Sequence, residues 1–93
     1  MSYQLIQLPA FIKSAKKLIR KNADSALDLR ETLVLLSQNP NTPSLRTHKL
    51  KGNLAGSLAC SVGYDLRIIF SYGEHEGKPA IILKAMGTHY EVY

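Results

Sequence analysis

Histidine, aspartate and arginine at a few positions carry whatever proton or phosphate chemistry this 93-residue chain can do. His48 opens "HKLKG", Asp65 opens "DLRIIF" with Arg67 two residues on, and His89 closes "GTH" near the last residue. Histidine takes or gives a proton near neutral pH because its ordinary pKa is about 6.5. An arginine can grip a phosphate with two parallel N–H donors. Cleavage of an RNA strand needs such a set: a base for the 2′-OH, an acid for the departing 5′-oxygen and a cation to steady the phosphate. Lys49 or Lys51, beside His48, can add to that cation, and Tyr64 or Tyr93 can stack an unpaired base. His75 differs, because it lies in "GEHEG" between two glutamates and reads as a solvated, inert residue. With one cysteine and no His-x-x-x-His spacing, neither a metal nor a cofactor is expected.

The same residues have plainer readings. His48 can cap a strand end, Asp65 can satisfy turn N–H groups, and Arg67 can pair with Asp65 for structural reasons. Tyr90, Val92 and Tyr93 can plug the core. The choice depends on what the fold brings together.

The elements that must do this are legible in outline. "SYQLIQL" reads as a first strand with Tyr3 and Leu5 on one face. Pro9 suits a helix first turn, and Phe11, Ala15 and Leu18 with Ile12 and Ile19 recur at helical spacing. A second helix is expected to start at Ser25, with Asp28 reaching back in a capping box. Its stripe is Ala26, Leu29, Leu33 and Leu36, widened by Val34, and it ends where Asn39 takes a left-handed cap before Pro40. "RTHKL", "SLACSV", "DLRIIFSY" and "AIILKAM" read as strands. "KGNLAG" is a turn or bulge, Gly63-Tyr64 a two-residue type II′ turn, and "GEHEGKP" a longer polar loop. "LRIIF", apolar except at Arg67, belongs near the sheet's centre. If the last strands are antiparallel, Asp65 and "GTH" become neighbours at a sheet edge.

Length and composition make residues 1–93 a single domain with one modest core. The apolar runs "LVLL" and "AIIL" are too short to span a bilayer, so no membrane association is expected. The start of the chain lacks a leader's charged and apolar regions, and a lone Cys60 suits a reducing cytoplasm. The net charge of +5 is concentrated in two zones. Lys13, Lys16, Lys17, Arg20 and Lys21 lie in the first, and Arg46, Lys49, Lys51 and Arg67 in the second. Such zones suit a polyanion or an acidic protein, with Lys13, Lys17 and Arg20 the helix residues placed to meet phosphate; a merely solvated basic surface is the alternative.

The run "HKLKGNLAGSLACSVGYDLRIIFSY", closed by "GTHYEVY", resembles the RelE/ParE superfamily of toxin–antitoxin toxins, and most of all its YafQ-like branch. The resemblance implies a small α+β fold, with an N-terminal strand and two-helix hairpin packed on a twisted, mainly antiparallel sheet of four or five strands. It implies mRNA endonuclease activity, typically on the ribosome, and an antitoxin partner that also mediates any contact with promoter DNA. By position, His48, Asp65 and His89 match catalytic residues of the branch, Tyr93 matches its terminal aromatic, and Arg67 matches an arginine of many relatives. His89 is then the base, and Asp65 or His48 the acid. Ser61 stands where YafQ-like toxins often have a histidine, and Ala85 and Met86 where many relatives have an arginine. The rivals are a non-catalytic basic binding module and a ParE-like gyrase poison.

Overall fold

The computed structural model describes residues 2–92. The chain runs β1 (Gln4–Gln7), α1 (Pro9–Lys21), α2 (Ala23–Gln38), β2 (His48–Lys49), β3 (Leu58–Val62), β4 (Leu66–His75), β5 (Lys78–Thr88) and α3 (His89–Val92). The strands form one sheet in the order β1-β5-β4-β3-β2. β1 is parallel to β5 and every other pairing is antiparallel. The fold is therefore α+β with a mainly antiparallel sheet, and β4, the "LRIIF" strand, is its middle strand.

Side chains alternate across a strand, so the helices cover one face only. Phe11 and Ala15 of α1 and Leu29 and Leu36 of α2 pack on Cys60, Val62, Ile68, Phe70, Ile81, Leu83 and Met86. Each fully buried large side chain there contributes about 1.5–3 kcal/mol. Ser61, Arg67 and Ile69 fall on the other face. Leu83 and Met86 both reach the core, although they are three residues apart, because the β4–β5 register slips: Ile69 pairs with Ala85 but Phe70 with Leu83. Lys84 is the extra residue of that bulge.

Several local features depart from the sequence reading. α2 starts at Ala23, and its cap is Asn22, whose Oδ1 accepts from the Asp24 N–H at 3.0 Å. Ser25 lies inside the helix and is buried. Asn22 is the single residue between the helices, and its own N–H closes α1 on the Leu18 carbonyl, leaving no room for a later start. The buried line of α2 is Ser25, Leu29, Thr32 and Leu36, and Val34 is 49% exposed. Two hydroxyl residues share that line with two leucines; Thr32 satisfies its own by donating to the Asp28 carbonyl at 2.8 Å. Asn39 ends α2 in extended, not left-handed, backbone (φ −157°), and its Oδ1 accepts from the Asn41 N–H.

The two hairpins exchange their expected lengths. Val62 pairs with Leu66, so Gly63-Tyr64-Asp65 is a three-residue loop and the strand opens one residue after Asp65. His75 pairs with Lys78, so the expected polar loop is two extended strand ends joined by Glu76-Gly77. Both turn residues have positive φ, 52° and 77°, the type I′ geometry that matches strand twist.

Candidate functional site

β4 and β5 pair as far as Leu66 and Thr88. Asp65 and His89, one residue beyond that pair, therefore leave the sheet side by side. At that level β5 has run past its last β1 partner, Leu83, so the two residues stand at an open edge of the sheet. On the face away from the helices, Arg67 has Ser61 opposite it on β3 and Gly87 opposite it on β5. His48 pairs with Ala59, which puts it on that face, one diagonal step from Ser61. Three strand spacings of about 4.8 Å separate β2 from β5, or roughly 14 Å, with Arg67 between. His48 therefore shares the sheet face of Arg67, and His89 follows β5 directly after the strand end paired with Leu66.

The carbonyl of Arg46 lies 3.0 Å from His48 Nδ1. A carbonyl only accepts, so Nδ1 carries the proton and, in the neutral ring, Nε2 carries the lone pair. Arg46 presents that carbonyl from left-handed backbone, φ 52°. Arg67 donates from Nη1 to the Leu66 carbonyl at 2.9 Å, which anchors its guanidinium on the backbone and not on Asp65. Arg46 and Arg67, with Ser44, Ser61 and Tyr64, line a cavity of about 240 Å³, large enough for a phosphate. Asp65 opens instead into a cavity of about 350 Å³ on the helix side, where Asn22, Asp28 and Thr88 join Leu18 and Leu66. Tyr64, 99% exposed, borders both.

The terminal segment folds back on β5. A Cβ at Gly87 would stand 3.0 Å from Glu91 Cβ and 3.3 Å from Val92 Cγ1, so only glycine allows α3 to lie this close. The Thr88 N–H donates to Glu91 Oε1 at 2.9 Å, the reach-back bond of a capping box on a four-residue helix. His89 is the first residue of that helix and meets Tyr90 edge-on, with ring centroids 5.6 Å apart.

A family model described as the bacterial toxin of type II toxin–antitoxin system, YafQ, matches residues 3–93. The chain belongs to the YafQ family. Solved structures agree with the fold. YafQ from Escherichia coli strain BL21(DE3) superposes with a TM-score of 0.78 at 20% identity, over 98% of each chain. The toxin of the E. coli DinJ–YafQ toxin–antitoxin complex gives 0.76 at 20% identity, over 100% of this chain and 99% of that one. A copper-bound mutant toxin from Helicobacter pylori gives 0.74 at 26% identity over the whole of both chains. No curated protein matches by sequence.

In this YafQ-family toxin the remaining candidate residues are dispersed. Lys13, Lys17 and Arg20 are exposed on α1, and Lys49 and Lys51 are exposed around β2. Lys17, with Lys21, lines a cavity of about 150 Å³ that also holds Gly87 and Glu91, so it faces α3. Tyr90 is 94% exposed and is no core plug. Tyr93 lies outside the described residues. His75 ends β4, with Nε2 3.7 Å from Glu76 Oε1. Cys60 is buried, and burial pushes its thiol up to about 12. Among the described residues no group of three His, Cys, Asp or Glu side chains could hold a metal, and no helix is long and apolar enough to cross a membrane. Sequence reasoning overlooked Arg46 and Glu91. Arg46 was visible only as one charge of a basic zone, whereas "THYE" does carry the Thr-x-x-Glu spacing of a cap.

Proposed function

We propose that this YafQ-family toxin is an endoribonuclease that cuts mRNA on the ribosome. The observation that supports the reading is the cleft lined by Arg46 and Arg67, with His48 on the same sheet face and His89 just beyond the strand paired with that of Arg67. In-line displacement at phosphorus requires the base and the acid on opposite sides of the scissile phosphate. His89 takes the proton from the 2′-OH, and the 2′-oxygen bonds to phosphorus as the bond to the 5′-oxygen breaks. His48 returns a proton to that 5′-oxygen, leaving a 2′,3′-cyclic phosphate and a 5′-OH. Asp65, beside His89, favours the charged imidazole that forms. Arg67 and Arg46 hold the phosphate charge, Lys49, Lys51, Lys13, Lys17 and Arg20 hold flanking phosphates, and Tyr64 and Tyr93 stack bases.

The DinJ–YafQ complex of the E. coli relative supports a protein antitoxin as the cytoplasmic partner here, with promoter DNA reached only through that complex. Ser61, opposite Arg67, cannot shuttle protons near neutrality, and this favours a second reading as a binding module without cleavage. Brief induction of the chain and of its His89→Ala variant, with mRNA 5′ ends mapped by primer extension, separates the readings. New cuts within translated regions that vanish in the variant are expected. Growth arrest without new cuts would refute the nuclease and leave ribosome blockade or a gyrase target.

A further inference from the structure

His89 sits on a short terminal helix that packs against β5 and β4. α3 has four residues, none of them buried, and follows the last strand without a loop. A single turn of helix has no intrahelical bonds to spare and does not persist in water unaided. Something outside ordinary packing must hold the turn that presents the imidazole. The contacts that do so converge on Glu91. Its Oε1 accepts the Thr88 N–H, a donor left over where β5 ends and α3 begins. Its Cβ and Oε1 lie 3.0 and 3.2 Å from the point where a Cβ would stand on Gly87, so the side chain lies directly against β5. Its carboxylate shares a cavity with Lys17 and Lys21 of α1.

We propose that Glu91 is a positioning residue for His89: by capping α3 from within and leaning on β5 and α1, it fixes the turn from which the imidazole reaches the phosphate. The inference rests on the nuclease reading above. The Thr88 N–H and then the Thr88 hydroxyl hold the Glu91 carboxyl below the usual carboxylate range, against an opposing effect of burial that exceeds the lesser help of Lys17 or of Lys21. The acceptor therefore stays ionised at neutral pH. Lys17, placed on the outer face of α1 by the helical pattern, thus has a second role: it draws the C-terminal turn towards the helix.

The test is the rate of mRNA cleavage in a translating cell-free system with purified full-length toxin, comparing wild type, Glu91→Ala and Glu91→Gln. Glutamine keeps an oxygen for the Thr88 N–H and serves the same position in natural capping boxes. Misplacing a catalytic group by an ångström can cost about 100-fold. Glu91→Ala is expected to lower kcat by about 10- to 100-fold with KM and the unfolding midpoint unchanged, and Glu91→Gln to restore most of the rate. Nuclear-spin relaxation of the His89 and Tyr90 amides should show the turn loosened in the alanine variant and retained in the glutamine variant. A Glu91→Ala protein that cuts as fast as wild type would overturn the inference. A glutamine variant as slow as alanine would overturn it too, because charge and not the cap would then be at work. Absence of cleavage by wild type itself would fell the nuclease reading, and is distinguished by needing no variant.

Discussion

Gly87→Ala is a small change whose consequences the packing around α3 makes specific. The new methyl would meet Glu91 Cβ at 3.0 Å, Glu91 Oε1 at 3.2 Å and Val92 Cγ1 at 3.3 Å, each closer than ordinary contact. Gly87 is not in left-handed backbone, so the conflict is purely one of space. If β5 had to yield, overpacking would cost about 1–3 kcal/mol. At about 4–8 °C per kcal/mol for a domain of this size, the unfolding midpoint would drop by about 4–24 °C. But β5 at Gly87 is paired with Arg67 of the middle strand, although it has passed the end of β1, whereas all three crowding atoms belong to α3, which has no buried residue. The helix moves and the sheet does not.

The expected outcome is a midpoint within about 4 °C of wild type and an mRNA cleavage rate lower by about 10- to 100-fold, because His89 travels with α3. Circular dichroism melting and the primer-extension assay read the two quantities on the same preparation. A Gly87→Ala protein with wild-type cleavage would refute the placement of α3 against β5. A midpoint lower by 10 °C or more would refute the argument that α3 is the part that gives.

Four further outcomes test other parts of the structure. Cys60 should react with iodoacetamide at pH 8 about 1,000-fold more slowly in the folded protein than in urea, because a thiol at about 12 is hardly ionised there; rapid native labelling, read by mass spectrometry, would contradict its burial. The same shift makes Cys60 a source of stability below its ordinary 9.0 that is lost as pH rises from 9.0 towards about 12, where only the unfolded thiol ionises, so Cys60→Ala should flatten the fall in urea midpoint across that window. Glu76→Asn should raise stability by roughly 0.5–1 kcal/mol, since Glu76 holds φ 52° in a turn that favours asparagine, and an unchanged or lowered urea midpoint would contradict the type I′ turn. Asn22→Ala should cost about 1 kcal/mol through loss of the α2 cap, while Asn22→Asp should stay within a few tenths, again by urea midpoint.

The parts of the fold legible in sequence were those with strong periodicity. "LRIIF" announced the middle strand because a strand paired along both edges buries nearly every position, as Ile68, Ile69 and Phe70 are here. The amphipathic pattern of α1 is clean because its apolar and basic residues separate completely. α2 misled because its buried line carries Ser25 and Thr32, whose hydroxyls turn inward, while apolar Val34 faces water. Its start misled for a related reason: Ser25-x-x-Asp28 has a capping spacing, but Asn22 must already end α1, and one residue cannot close one helix without opening the next. The hairpin at Glu76-Gly77 was hidden because glutamate is a poor signal for positive φ. At the site, pairing of the last two strands was enough to bring Asp65 and His89 together on paper. The neighbours of Arg67 were not legible, because they depend on a register shifted by the bulge at Lys84.

The arrangement divides the site into a rigid half and a loosely held half. Arg67 and Ser61 stand on interior strands, and Arg46 is tied to His48 through its carbonyl. Arg67 and Ser61 therefore share the stability of the sheet interior, whereas Arg46 lies in a loop and His48 in a two-residue edge strand. His89 hangs from one helical turn held by a cap, and that turn can open at a small fraction of the global free energy. On the proposed mechanism, substrate phosphates are gripped by the cationic cleft whether or not α3 is docked, while proton transfer requires it. A ligand that draws off α3 would then stop chemistry without displacing the arginines, and one that fills the cleft would do the reverse. The same mechanism assigns binding to the sheet half and rate to the terminal turn, so substitutions at Arg46 are expected in KM and those at Gly87 and Glu91 in kcat.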